Sequence, residues 1–121
     1  MSKFPLFVEN SKLVKYLSYL SPIEIWAITL GPIVLCRGRI SQRVRRHETI
    51  HYQQYLETFF IGFILIYLYD FLYQAIINRK GFSKEAYLSI RFEQEAYAKD
   101  EDFLYLRFRK KYAWLKYKLR E

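Results

Sequence analysis

Chemistry is concentrated at His47-Glu48-Thr49-Ile50-His51, an HExxH pattern. On a helix the four-residue spacing puts both imidazoles on one face, one turn apart, where they can grip a single ion. Zinc accepts neutral imidazole nitrogen, and a catalytic zinc site uses three protein ligands and leaves a fourth position to water. Glu48, beside the first ligand, can take the proton from that water as general base. The chain has 2 histidines, and both fall in the motif. Its one cysteine, Cys36, excludes an internal disulfide framework and a CxxC thiolate site.

No histidine follows His51, so the third ligand is expected to be a carboxylate. Glu57 lies six residues beyond His51 on the same helix, too far along its axis to close the site. Asp70 falls in an apolar segment, whereas Glu93 and Glu95 lie on a later stretch that can fold back. Their spacing puts them about 200° apart around a helix, so only one can face the ion. Glu93 shares its side with Ala86, Ser89, Ile90, Ala96 and Tyr97, and Glu95 with Leu88, Arg91, Phe92, Ala98 and Lys99. Glu93 is therefore the expected ligand and Glu95 the alternative.

The elements that must position these residues are readable in outline. Apolar spacing predicts a helix over Lys12 to Leu20, ending at Ser21-Pro22. The run from Ile23 to Cys36, β-branched and aromatic with Gly31-Pro32 inside it, predicts a β-hairpin. Ser41 is placed to cap a helix running through RVRRHETIHYQQYLETFF. Phe59 to Ile77 is apolar apart from Gly62, Asp70 and Gln74. Two readings stand for it, a segment in or on a membrane and the core helix of the domain. Asp70 and Gln74, one turn apart, suit a protein interior. Ser83 is placed to cap a helix through KEAYLSIRFEQEAYAKD, and FLYLRFRKKYAWLKYKLR is expected to form a last, basic helix. The sum is a mostly helical α+β protein, one domain over residues 1–121.

Composition narrows the partners. Apolar residues make up 52% and aromatics 20%, which excludes a disordered chain. The net charge of +8 favours anionic surfaces or acidic substrates. Arg37, Arg39, Arg43, Arg45 and Arg46 read as a solvated face, with attraction of anionic lipid or acidic substrate as the alternative. The basic, aromatic tail suits a membrane interface, and no nucleic-acid motif accompanies it, so nucleic acid is not expected as a partner. The first twenty residues are interrupted by Lys3, Glu9, Lys12 and Lys15 and lack the apolar run of a secretory signal. The expected location is cytoplasmic, with an anionic membrane surface as a candidate partner.

The segment RRHETIHYQQ, followed by a helix bearing FEQEAYA, resembles the small gluzincins, zincin peptidases whose third zinc ligand is a Glu on a later helix. It also resembles short phage and marine proteins bearing RHExxHxxQ and FExEAYA. In the gluzincin motif Glu-x-x-Ala-(Asp or Asn) the first Glu binds zinc. Here that residue is Glu93, with Ala96 in place, while Tyr97 stands where the family has Asp or Asn. The usual contact behind a ligand histidine then falls to Tyr97, Gln54 or Asp70. The resemblance implies a minimal zincin-like fold holding Zn2+ on His47, His51 and Glu93, with Glu48 catalytic. It also implies a peptide or protein substrate paired with an edge strand beside the metal helix, the place of the Ile23–Cys36 hairpin. Tyr87, Arg91 and Tyr97 are candidate donors to a developing oxyanion. The expected function is zinc-dependent peptide hydrolysis. The alternative is a non-catalytic membrane-associated or interaction protein that retains the zinc-binding fold.

Overall fold

A computed structural model describes residues 5–120, and it is a mostly helical α+β fold with a small sheet. Three strands, β1 (Leu6–Val8), β2 (Ala27–Leu30) and β3 (Ile33–Cys36), form a sheet in the order β1-β3-β2. The expected hairpin is the antiparallel pair β2 and β3, in which Ile28 faces Leu35 and Thr29 faces Val34. Its two-residue turn is Gly31-Pro32. Gly31 has φ +63°, which glycine adopts freely, and the proline ring holds the next φ negative, as a type II′ turn requires. Strand β1 carries no turn signal of its own. It pairs in parallel with β3, Phe7 facing Val34, through the crossover that includes α1 (Lys12–Ser18).

Helix α2 (Gln42–Glu57) begins where expected, the Ser41 hydroxyl accepting from the Val44 N–H at 3.2 Å. Its inward face repeats at helical spacing: His47, Ile50, His51, Gln54 and Tyr55 are all buried. The helix stops three residues short of the expected end. Phe59 and Phe60 adopt φ +57° and +64°, positive values that bulky residues rarely take. The Phe60 N–H donates to the Tyr55 carbonyl at 2.9 Å, and the Phe60 ring lies so close to Gly31 that a Cβ there would meet it at 3.1 Å. This turn swings the chain by 110° into α3 (Ile61–Leu72), which continues as a π-turn over Tyr73–Ile77.

Residues 59–77 therefore form one wall of the domain. Asp70 and Gln74 point inward. Asp70 receives Arg91 through both guanidinium Nε and Nη2, each at 2.9 Å, and through the Arg91 main-chain N–H. Gln74 donates to the Ser89 and Leu119 carbonyls. Phe63 stacks between Tyr55 and Phe92, centroids 3.9 and 4.4 Å away, and Trp114 closes the cluster against Phe92 at 4.7 Å. Such aromatic pairs each add about 0.5–1.5 kcal/mol beyond area burial.

Two expected helices are broken. The Ser83-capped helix divides into α4 (Lys84–Leu88) and α5 (Arg91–Lys99), because Ile90 turns extended at ψ 132°. The Ser89 carbonyl left over at the break is met by the side-chain amides of Gln74 and Gln94. The basic tail is not one helix either. It makes a single turn, α6 (Tyr105–Phe108), then an extended Arg109 and a 3-10 turn over Ala113–Lys116. At this extended position the Arg109 guanidinium lies in the interior, 2.6–3.0 Å from carboxylate oxygens of Glu57 and Glu95.

Candidate metal centre

Helix α2 and helix α5 meet at the site. His47 Nε2 and His51 Nε2 converge on one oxygen of Glu93, at 3.2 and 3.0 Å from its Oε1. All three side chains are buried, and their donor atoms lie within 4.8 Å of one another. Ligands about 2.0–2.1 Å from a tetrahedral ion are spaced roughly 3.3 Å apart, so the closest pairs already have the required spacing.

The far side of each ring decides what the near side can hold. His47 Nδ1 faces Asp100 Oδ2 at 3.0 Å, and a carboxylate only accepts, so this nitrogen carries the proton. His51 Nδ1 faces Gln54 Oε1 at 2.8 Å. The Gln54 amide NH2 is committed to the Phe92 carbonyl and Glu95 Oε1, which fixes its oxygen as the acceptor and His51 Nδ1 as the donor. Neutral rings in these tautomers present two Nε2 lone pairs to a carboxylate oxygen, a repulsive set unless a proton or a cation lies among them. A proton can fill that role as well as a cation. Burial lowers the His47 pKa, but Asp100 and Glu93 outweigh it and raise the group to about 10. His51 is raised against its burial by Glu93, and the two imidazoles hold Glu93 below the usual carboxylate range although burial opposes this. Three lone-pair donors with their rear contacts satisfied fit a metal ion, so the cluster of His47, His51 and Glu93 can hold one.

Glu48 stands on the same turn as His47. The Thr29 hydroxyl of strand β2 is 2.8 Å from its Oε1, and its Oε2 is 3.9 Å from His47 Nε2. Burial pushes the Glu48 carboxyl above its ordinary range, partly offset by the two imidazoles. The Tyr67 hydroxyl donates to the second Glu93 oxygen at 2.7 Å, so both oxygens of that carboxylate are placed.

The other candidates are used elsewhere. Glu95 is fully buried, turned away from His47 and His51, and held by Arg109, Tyr105 and Gln54. The face that carries it is covered by the C-terminal segment, which reading one helix at a time does not reveal. Arg91 is consumed by Asp70, so neither supplies the site. Tyr97 packs edge-on to the His47 ring at 4.5 Å, and its hydroxyl pairs with that of Tyr87 at 3.0 Å, so it makes no hydrogen bond to either histidine. Gln54 does hold a histidine, as one of the three alternatives required. The group behind His47 is Asp100, which sequence reasoning passed over. It lies seven residues beyond Glu93, two helical turns along the same face, and that spacing was the available signal. Arg43 Nε holds Asp100 Oδ1 at 3.0 Å and Arg46 bonds its carbonyl, so part of the arginine cluster clamps the end of α5 and is not simply a solvated face.

The site floors a cleft of about 780 Å3 between the segment 20–30 and α3. Strand β2 forms one wall. Trp26 and Arg37 are opposite in its register and share a main-chain hydrogen bond, so alternation turns the main-chain groups of Ala27 and Thr29 outward, away from β3. The Thr29 carbonyl already accepts from the Tyr55 hydroxyl at 2.9 Å. No protein-family model, curated protein or solved structure matches this chain.

Proposed function

We propose that this chain is a zinc metallopeptidase, with His47, His51 and Glu93 as zinc ligands and Glu48 as general base. The observation that carries the reading is the convergence of two Nε2 lone pairs and a carboxylate, each pinned from behind, beside a second buried carboxylate that is not a ligand. Two imidazoles with one carboxylate suit zinc among the divalent ions, and the resemblance to gluzincins adds support. Bound zinc supplies Lewis acidity, which makes water a nucleophile near neutral pH.

The chain's own residues do the rest. Glu48, with Thr29 donating to one oxygen, keeps the other free to take the proton from the attacking water and pass it to the leaving amine. Burial, which raises its pKa above the ordinary carboxylate range, makes it a better proton acceptor. Asp100 and Gln54 hold the two imidazoles in their metal-binding tautomers. An extended peptide laid along β2 can pair with the outward groups of Ala27, the mode that binds main chain with little regard to side chains. The Tyr87 and Tyr97 hydroxyls line the cleft and bond each other, so one of the pair keeps a proton to donate to a developing oxyanion.

The test is zinc content together with chelator-sensitive hydrolysis of a mixed peptide library. Wild type is expected to hold about one zinc per chain and to cleave. Protein that binds no zinc would sink the reading, and zinc-loaded protein that cleaves nothing would leave the non-catalytic alternative in its place.

A further inference from the structure

The mouth of the cleft is lined on both sides by side chains that are apolar and exposed. Leu20 and Trp26 stand on one lip, 78% and 58% exposed, and Ile64, Leu68 and Phe82 on the other, 58%, 53% and 68% exposed. Beyond the second lip the surface stays apolar through Leu65 and Leu72 of α3 and Ile76 of the π-turn. A contiguous apolar surface of this kind is unusual on a protein with no partner. Exposed cations accompany it in sequence: Lys12 and Lys15 precede the first lip, and Arg79 and Lys84 bracket Phe82. Tyr16 and Tyr19 are exposed in the segment of Lys12 and Lys15, and Tyr69 is exposed on α3, amphipathic residues that favour a water–lipid boundary.

Two occupants compete for such a face. A second copy would bring another chain of net charge +8 against it and would seal the cleft from both lips at once. A bilayer with anionic headgroups attracts that charge, accepts the apolar residues at shallow depth, and leaves the cleft open to whatever lies at the membrane surface. No described helix is by itself long and apolar enough to cross a membrane, and the exposed apolar side chains at the cleft mouth suit contact at the interface. We infer that the apolar lips of the metal cleft dock this protein on an anionic lipid surface, with the cleft mouth facing the bilayer.

Flotation with vesicles of phosphatidylcholine, alone or mixed with phosphatidylserine, tests it on the full chain. Wild type should float with the mixed vesicles, bind them at least about tenfold more tightly than phosphatidylcholine alone, and be released as salt rises. The double variant Ile64→Gln, Leu68→Gln should weaken binding by roughly tenfold or more. These side chains are exposed, so an unchanged thermal transition will show that the fold is intact. Chelator-treated protein and Glu48→Gln should float like wild type. Wild type that stays with neither vesicle, or binds both equally and independently of salt, overturns the inference. So does a dimer that fails to float and that the double variant separates into monomers. Floating without hydrolysis would instead count against the peptidase reading alone, and hydrolysis without floating against the docking alone.

Discussion

Replacing Asp100 by Asn separates the arrangement seen behind the metal ligands from the one the gluzincin motif would place there. The substitution keeps the size of the side chain but removes its charge. One amide oxygen must then serve both His47 Nδ1–H and Arg43 Nε–H, which two carboxylate oxygens now serve at 3.0 Å each. His47 loses the partner that fixes its tautomer and makes Nε2 a better donor. Outer contacts of this kind are worth about 10–100-fold in metal affinity, or about 1.4–2.7 kcal/mol. Tyr97→Phe at the motif position removes only a hydroxyl that bonds Tyr87, and it should stay within about twofold to threefold of wild type. Zinc affinity measured by competition with a chromophoric chelator reads both. The argument fails if Asp100→Asn binds zinc as tightly as wild type, or if Tyr97→Phe is the more damaging change.

The same geometry sets the remaining outcomes. Glu48→Gln should retain its zinc while hydrolysis falls by about 10^2 to 10^4-fold, as loss of a general base requires, whereas Glu93→Ala should lose zinc and Glu95→Gln should keep it; metal analysis of each variant decides. The metal-free His47 pKa of about 10 lies above its ordinary 6.5, so this group stabilises the fold fully below pH 6.5 and loses that contribution as pH rises toward 10. Zinc binding near neutrality should accordingly release a proton from His47, read by titration calorimetry in buffers of different ionisation enthalpy; heats independent of buffer would refute it. Arg109→Ala strands the buried carboxylates of Glu57 and Glu95 and should cost about 3–5 kcal/mol in chemical denaturation, against a small effect if the tail is peripheral. Glu95, although burial opposes it, is held below its ordinary range by Arg109 and Tyr105, so its stabilising contribution is present above the ordinary carboxylate pKa and lost as pH falls through the lowered one.

Local features of the chain determined a good part of this protein. The four-residue histidine spacing, the Ser41 and Ser83 caps and the Gly31-Pro32 turn act through backbone geometry within a few residues, and each is found where the sequence puts it. Glu93 was legible for a related reason: a two-residue spacing on a helix allows only one of two carboxylates to face a given ion.

What tertiary structure decided lies in contacts between distant segments. Asp100 reaches His47 across 53 positions, Arg109 reaches Glu57 across 52, and Thr29 reaches Glu48 from the sheet. No local period encodes such pairs. Such pairs also accompany the breaks in the expected helices. Arg109, extended within the basic tail, reaches two buried carboxylates. The Ser83-led helix breaks at Ile90, and Gln74 and Gln94 satisfy the carbonyl that the break exposes. His47 and His51 are two facing side chains in sequence; Asp100 and Gln54, by fixing which nitrogen of each ring keeps its proton, make them a pair that can take a metal.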